Sequence, residues 1–202
     1  AGSLASVATR WTAASPIPTG VKAHLVLAFG NSPGAFALIV QDGGDFSIHG
    51  ATKTPVTNAT IDLNPTSGLS FTVADATGWT AGDILTIGPT SRLSSLNGTE
   101  ISTVTAVAGN TITVAAAFSE SHQATGTIRV GNLTRNALIR SSGTIPSANT
   151  AYVSNLATNA TSFVAVHAEF AFIGSLTTGR SGVQFDAASS RGSISSSTFH
   201  HG

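Results

Sequence analysis

The sequence predicts an all-β protein. Helix signals are scarce across its 202 residues, because glycine, serine, threonine and asparagine interrupt almost every window that has apolar residues at helical spacing. Short runs of β-branched and aromatic residues, separated by turn-forming residues, recur instead. The hydrophobic fraction of 41% is high enough to build a folded core, which argues against intrinsic disorder.

The predicted strands are short and follow one another along the whole chain. Each is bounded by glycine, asparagine, aspartate, serine or threonine, as expected for strands that end in turns. In chain order they are His24–Phe29, Phe36–Gln41, Phe46–His49, Thr60–Leu63, Ser70–Val73, Ile84–Ile87, Ile101–Val107, Thr111–Ala115, Thr127–Val130, Ala137–Arg140, Phe163–Phe172, Val183–Phe185 and Ser193–Phe199.

Residues 68–130 are predicted to form a small β module inserted into a larger β fold. Gly109-Asn110 separates two strand-like runs, and both residue types tolerate the positive φ of a tight hairpin. Strict alternation in Thr111–Val114 places the two aliphatic residues on one face. These features indicate a small antiparallel barrel or sandwich, flanked by N-terminal strands in 1–67 and by further strands in 131–202.

The C-terminal part, 131–202, has strands separated by long polar loops rather than by tight hairpins. In a solenoid each strand pairs with the equivalent strand of the previous coil, so hairpin turns are unnecessary. A parallel β-helix that begins in 1–67 and resumes at 131 is therefore one prediction. A second β-sandwich is the alternative, since no fixed repeat length is visible.

Composition and motifs exclude several function classes. Nine Lys and Arg balance nine Asp and Glu, so no basic field is available to hold nucleic acid or an anionic membrane. Cysteine is absent, which excludes disulfide scaffolds and thiol catalysis. No phosphate-binding glycine loop, zinc-protease motif or nucleophile elbow is present. We expect no nucleic-acid partner, no membrane insertion, no cofactor and no metal site.

Several segments together carry a family resemblance. They are Phe46-Ser47-Ile48-His49-Gly50, Lys53-Thr54-Pro55, Gly78-Trp79 through Gly82-Asp83, Gly131-Asn132-Leu133-Thr134-Arg135-Asn136 and Ser197-Thr198-Phe199-His200-His201. In this order they resemble the eight-glycine-domain family of extracellular proteins, which includes the transmembrane hyaluronidase, the cell-migration-inducing hyaluronan-binding protein, fibrocystin and many bacterial surface proteins.

The resemblance spans roughly residues 36–202. It implies a right-handed parallel β-helix (a solenoid), an extracellular or cell-surface location, and further coils beyond Gly202. One segment departs from the family, because Gln184 and Asp186 stand where the hyaluronan-cleaving members have two histidines. The resemblance therefore supports the fold more than it supports catalysis.

His167 and Glu169 are candidate catalytic residues if the chain is an enzyme. They lie two positions apart in the predicted strand Phe163–Phe172, so alternation puts both on one face. Such a pair could bind a sugar or serve as acid and base. A solvated polar stripe is the alternative interpretation. The opposite, apolar face is predicted to hold Val166, Ala168, Phe170 and Phe172.

Asp186 and His200 complete the candidate catalytic set. Asp186 could pair with Glu169 at the separation of about 6.5–9.5 Å that inverting glycosidases use, if neighbouring coils are in register. His200 is followed by His201, but adjacent strand residues point to opposite faces, so the two do not share a metal ion without a bend. Gln184 and Arg180 are the candidate carbohydrate-binding residues.

Two tryptophans could stack on sugar rings. Trp79 lies in a predicted turn, where packing is the favoured role, and Trp11 has no such assignment.

Two functions of different classes agree with these features. The first is an extracellular structural or adhesive β-helix module of a cell-surface or filament-forming protein, which contacts polysaccharide or copies of itself. Low charge and abundant small residues favour it. The second is a polysaccharide depolymerase, hyaluronidase-like or lyase-like, with the four candidate catalytic residues near its site. The weak acid–base signature favours the first.

Overall fold

The computed structural model describes residues 11–28, 32, 34–90, 98–123 and 127–201. Within these ranges all regular structure is β, which confirms the predicted class. The same residues contain no helix with the length and apolar character needed to cross a membrane. The chain divides into two compact units, one with parallel sheets and one with an antiparallel sheet.

The first unit comprises the described residues of Ala1–Ala51, Asn136–Ser195 and His201–Gly202. Three successive passes of the chain each contribute one strand to each of three parallel sheets. Within this unit, the first sheet contains β1 (Ala23–Leu27), β10 (Ala137–Ser141) and β13 (Ala168–Ala171); the second contains β2 (Ala37–Val40), β11 (Tyr152–Asn155) and β14 (Val183–Phe185); the third contains β3 (Phe46–His49), β12 (Phe163–Val166) and β15 (Ser193–Ser195).

Apolar residues at equivalent positions of the three passes stack to form the core of this unit. Leu25 pairs with Ile139, and Ile139 pairs with Phe170 on the next strand. Ile139 and Phe170 are 0% and 1% exposed, and Ile139 lies in the middle pass, which is covered on both sides. The other two sheets contribute the columns Leu38–Val153–Val183 and Ile48–Ala165–Ile194.

The predicted strand Phe163–Phe172 is wrong, because it is two strands with a corner at His167. His167 has a φ of 50°, in the left-handed region that turns the chain sharply. The side-chain alternation therefore restarts after the corner. Val166 and Phe172, predicted for the apolar face, are only half-buried. The buried apolar residues of the two strands are Phe163, Ala165, Ala168, Phe170 and Ala171, and Glu169 is buried beside them.

Other strand predictions differ from the structure in smaller ways. The predicted strand Ser193–Phe199 breaks at Ser196, which also has a left-handed φ, of 49°. Thr60–Leu63 contains only an isolated bridge, at Leu63. Strand β11 was not predicted, because Tyr152–Asn155 lacks a run of apolar residues. Its polar members are buried by tertiary packing, which local sequence does not encode.

The second unit comprises the described residues of Thr52–Arg135 together with Ser196–His200. Its six-stranded antiparallel sheet has the order β4-β9-β6-β7-β8-β5. The strands are β4 (Val56–Asn58), β5 (Ser70–Thr72), β6 (Ile84–Ile87), β7 (Glu100–Ala108), β8 (Thr111–Val114) and β9 (Arg129–Asn132); β16 (Thr198–His200) also belongs to this unit.

This sheet closes into a small barrel. The Thr60 N–H donates to the Thr72 carbonyl at 3.0 Å, and the Ala74 N–H donates to the Asn58 carbonyl at 2.9 Å. These bonds join the ends of the two outer strands of the sheet. Strand β4 lies before the range 68–130 that was predicted for the module, so the antiparallel sheet takes in more of the chain.

Several residues of the sequence motifs have structural roles in the second unit. Trp79 is 4% exposed, and its indole N–H donates to the Thr54 carbonyl at 2.8 Å, which confirms its predicted packing role. Asp83 accepts from the Thr80 N–H at 2.9 Å, as expected for a turn aspartate. It also forms a buried ion pair with Lys53, with Nζ 2.6 Å from Oδ1, that was not predicted.

The insertion begins at a single corner of the first unit. His49 pairs with Val166, and Ala137 pairs with Ala168. One pass connects its third-sheet strand to the next first-sheet strand through residues 50–136. The following pass makes the same connection, from Val166 to Ala168, through His167 alone. Both ends of this long segment are held in the first unit, because the Ala51 N–H donates to the Asn136 side-chain oxygen at 2.8 Å.

Candidate functional site

A pocket of about 860 Å³ lies in the first unit, along strand β3. Its lining combines aromatic and aliphatic side chains with hydroxyl, imidazole and carboxylate groups. The lining residues are Trp11, Thr12, Ile17, Ala23, His24, Asp45, Phe46, Ser47, Ile48, His49 and Thr161.

Both faces of β3 contribute to the pocket. Phe46 and Ile48 alternate with Ser47 and His49, so the two pairs project to opposite sides of the strand. Strand β3 pairs with β12 along one edge. A pocket that takes residues from both faces therefore runs along the other edge of β3.

The N-terminal described segment forms the opposite wall. Thr12 and Ser15 exchange two backbone hydrogen bonds of 3.0 Å each, which close a tight turn after Trp11. The Ile17 N–H then donates to the His49 carbonyl at 2.8 Å, and Ile17 is fully buried. This anchor places the indole of Trp11 at the pocket, where it remains partly exposed.

The polar side chains of β3, and of Asp45 just before it, form hydrogen bonds within the protein. The Ser47 hydroxyl and His49 Nε2 are 3.0 Å apart, and the Asp45 carboxylate accepts from the Ser162 hydroxyl at 2.7 Å. Asp45 and His49 are four residues apart, about 13 Å along an extended chain. The carboxylate therefore does not orient the imidazole, and the three residues do not form a catalytic triad.

The structure does not place His167 and Glu169 on one strand, although they were predicted to share one face of one strand. His167 is the corner residue, and its N–H donates to the Ser195 carbonyl at 3.1 Å. Glu169 lies on β13 opposite Leu138 and is 8% exposed. The prediction that they form an exposed pair on one strand is therefore wrong, because the corner interrupts the alternation.

Gln184 and Asp186 are brought together, at Ser154. Gln184 pairs with Ser154 in the second sheet, and the Ser154 hydroxyl donates to the Asp186 carboxylate. The Gln184 Oε1 atom is buried and has no hydrogen-bond partner among the residues that the structure describes. Glu169 belongs to a different sheet of the same pass, so it and Asp186 do not face each other on paired strands of neighbouring passes.

The remaining candidate residues, Arg180 and His200, lie in different units of the chain. Arg180 Nη1 donates to the Gly34 carbonyl at 2.9 Å, which assigns the guanidinium a role in holding that segment. His200 lies on β16 in the second unit. In the first unit, the His201 ring stacks on Phe172 with centroids 4.7 Å apart. Among the described residues, no group of three or more His, Asp or Glu side chains is placed to hold a metal ion.

Sequence reasoning missed most of the pocket. Trp11 was recognised as a possible sugar-stacking residue, but His24, Asp45, Ser47 and His49 were not singled out as binding residues. The signal was the alternation of polar positions 45, 47 and 49 with Phe46 and Ile48. That pattern marks a strand with one polar face, yet it does not show that the strand borders a pocket.

Comparisons with known proteins give few similarities. No protein-family profile matches the chain, and no curated protein matches it either.

Several solved structures are weakly similar, among them three phage tailspikes, and the chain spans less than a quarter of the length of each of these three. The Gp54 tailspike of Acinetobacter baumannii bacteriophage AP22, solved with an A. baumannii capsular saccharide, has 20% identity and a TM-score of 0.36, over 72% of this chain and 24% of that chain. The tailspike gp61 of Pseudomonas phage phi297 has 15% identity and a TM-score of 0.36, over 70% and 23%.

The tailspike gp49 of Pseudomonas phage LKA1 has 15% identity and a TM-score of 0.31, over 64% of this chain and 22% of that chain. At these identities and TM-scores, no conclusion about the present chain follows from the similarity.

Proposed function

We propose that this chain is an extracellular structural or adhesive β-helix module, and that it contacts polysaccharide through the pocket along β3. The observation that carries the proposal is the composition of the pocket wall. It places two aromatic side chains, Trp11 and Phe46, beside the carboxylate of Asp45, the imidazoles of His24 and His49, and several hydroxyl groups.

This combination suits the chemistry of sugars. A pyranose ring presents apolar C–H faces, which pack on aromatic rings, and a rim of hydroxyls, which need both donors and acceptors. Ligand sites are usually pockets of about 300–1,000 Å³ with a few well-placed polar groups. The pocket, at about 860 Å³, is within that range and is large enough for more than one sugar ring.

The structural part of the proposal rests on the first unit. Its three parallel sheets stack equivalent residues from three passes, and each added pass covers the apolar face of the one before. Parallel crossover connections are almost always right-handed, so we assign the β-helix that hand. Edge strands at the ends of such a stack can also pair with further copies of the protein.

We also propose membership of the eight-glycine-domain family. One of the segments that carry the resemblance, Gly131–Asn136, lies where the insertion ends, and its residues have defined structural roles. The Asn132 amide donates to Asp83 at 2.8 Å, and Arg135 Nη1 donates to the carbonyls of Asn132 and Thr134 at 2.9 and 2.8 Å. Asn136 binds Ala51 at the other end of the insertion. A family that shares the insertion would need these residues for folding.

A glycan-binding assay tests the proposal. The purified protein is screened against a broad panel of immobilised bacterial, plant and animal polysaccharides, and hits are measured in solution by calorimetry. We expect binding to at least one polysaccharide, and a loss of at least tenfold in affinity for Trp11→Ala. Phe36→Ala is the matched control, because Phe36 is 55% exposed in the same unit and does not line the pocket. Absence of binding to every polysaccharide would contradict the proposal.

Self-association is tested in the same preparation. Negative-stain microscopy and size-exclusion chromatography across a concentration series would show ordered filaments or sheets if the module assembles end to end. Dispersed monomers at every concentration would remove the filament-forming part of the proposal and leave polysaccharide contact.

The depolymerase has less support than the binding module. His167 and Glu169 do not form an exposed pair, and the Asp186 carboxylate is bound by Ser154. If the chain nevertheless cleaves a bound polysaccharide, His167→Ala or Asp186→Asn should abolish cleavage with little change in melting temperature. Product release from a bound polysaccharide, measured by reducing-end assay, distinguishes the two functions.

A further inference from the structure

We infer that the pocket along β3 is selective for glycans without acidic groups, and that Asp45 is the residue that excludes acidic ones. The inference rests on the proposed function, since it names the class of polysaccharide that the same pocket would bind.

The charge of the pocket wall carries the inference. Asp45 is the one acidic residue among the described residues that line the pocket, and none of these residues is Lys or Arg. Asp45 is exposed, so its carboxylate is accessible to a ligand. A uronate or sulfate group in the pocket would approach this carboxylate without a guanidinium or ammonium partner, and like charges at short range repel.

The described Lys and Arg residues of the first unit are Lys22, Arg140, Arg180 and Arg191, and none of them lines the pocket. Lys22 precedes the lining residue Ala23, but its own side chain does not line the pocket. Arg180 donates to the Gly34 carbonyl, and Arg191 donates to the carbonyls of Ala188 and Ser190. Proteins that recognise acidic groups usually do so with bidentate arginine or with lysine, and the described residues of the pocket wall include neither.

The remaining polar groups suit neutral hydroxyls. The Ser47 hydroxyl and His49 imidazole form a bonded pair, and a hydroxyl can donate and accept at once. Asp45 uses Oδ1 to accept from Ser162, and a carboxylate has further acceptor capacity for a sugar hydroxyl or a sugar ammonium group. Trp11 supplies the surface on which a ring can pack.

The test compares acidic polysaccharides with their own neutral derivatives. Oligosaccharides of polygalacturonate, alginate and hyaluronan are each measured beside the carboxyl-reduced form, in which the ring and linkage stay the same and the charge is removed. Chitin oligosaccharides beside their deacetylated, amine-bearing form extend the series to positive charge. All titrations use one buffer at neutral pH and physiological ionic strength, because salt screens the effect.

We expect every carboxyl-reduced glycan that binds to do so at least about fivefold more tightly than its acidic parent. Asp45→Asn keeps the acceptor for Ser162 and removes the charge, so it should bring the two affinities within about twofold of each other. Trp11→Ala should weaken both forms alike, because stacking does not depend on the carboxyl group. Lys22→Ala is the control for a nearby charge outside the pocket, and it should leave the preference unchanged.

Each outcome decides between defined alternatives. Binding with a preference for acidic glycans, or a preference that Asp45→Asn leaves unchanged, would overturn the selectivity inference while leaving polysaccharide contact in place. Failure of every glycan to bind would overturn both the inference and the proposed function. A circular-dichroism melt of each variant confirms that it is folded before its affinity is interpreted.

Discussion

The side-chain oxygen of Asn136 accepts a hydrogen bond from the Ala51 N–H at 2.8 Å, across 85 positions of sequence. The same amide directs its nitrogen at the carbonyls of Ile17, Pro18 and Val21, at 3.0–3.1 Å. One side chain therefore ties together the start of the insertion, its end and the segment that precedes β1. This segment includes Ile17, which also lines the pocket.

Replacement of Asn136 should destabilise the first unit. Asn136→Ala leaves the Ala51 N–H and the carbonyls without their side-chain partner, and we expect a loss of about 2–4 kcal/mol from several hydrogen bonds together. Asn136→Asp keeps an acceptor for Ala51 but cannot donate to the carbonyls, so it should be at least as damaging. Chemical denaturation measures the free energy of unfolding. Asn159→Ala is the control, because among the described residues the Asn159 side chain bonds only to Thr161 of its own turn.

The Lys53–Asp83 ion pair should be essential to the second unit. Its side chains are 11% and 3% exposed, and Asp83 also accepts from Asn132. Lys53→Met removes one charge and leaves the other buried, which typically costs about 3–5 kcal/mol. A double variant, Lys53→Met with Asp83→Leu, should be less unstable than the sum of the single variants. Additive losses in a double-mutant cycle would show that the two residues are not coupled.

Stability should fall in acid partly through Glu100. Burial opposes ionisation, but hydrogen bonds from the Ser119 N–H, the His122 ring, the Ser119 hydroxyl and the Glu120 N–H outweigh it, so the pKa of Glu100 is lowered. A carboxyl with a lower pKa in the folded state stabilises the protein above its unfolded pKa. That contribution is lost as the pH falls from the ordinary carboxyl value, 4.5, through the lower folded value.

The unfolding free energy of wild type and of Glu100→Gln, measured between pH 7 and pH 3, checks this expectation. The variant should be less stable at pH 7, by about 1–3 kcal/mol, and should lose less stability in acid. Ser119→Ala removes the hydroxyl donor and keeps the backbone donor, so its acid sensitivity should be intermediate. Parallel pH curves for wild type and Glu100→Gln would show that another group is responsible.

Phe170 should be among the costliest core residues to truncate. It is 1% exposed and lies on β13, where it pairs with Ile139 of the middle pass. Phe170→Ala should therefore lower the free energy of unfolding by about 3–5 kcal/mol, from lost burial and the cavity left behind. Phe36→Ala removes the same atoms from a 55% exposed site and should cost less than about 1 kcal/mol. Equal losses would contradict the stacked core.

Local sequence pattern predicted the strands that are defined by side-chain alternation or by a turn residue. Phe46–His49, Ile84–Ile87 and Val183–Phe185 have the predicted bounds, and the hairpin at Gly109-Asn110 joins β7 to β8. Each of these depends on alternation or on a turn residue, and both act within a few positions of the chain. The corner at His167 was not predicted, because even histidine, which adopts positive φ more often than most residues, does so at few of its positions, so its identity alone does not signal a corner.

The sequence by itself determined the all-β class, the formal net charge of zero, and the alternation of Asp45, Ser47 and His49 with Phe46 and Ile48. These properties depend on composition and on the period of a single strand. Only the tertiary structure decided which strands pair, where the barrel is inserted, and that Trp11 meets β3 at a pocket. Such contacts join residues far apart in sequence, and their register follows from packing energy summed over the whole unit.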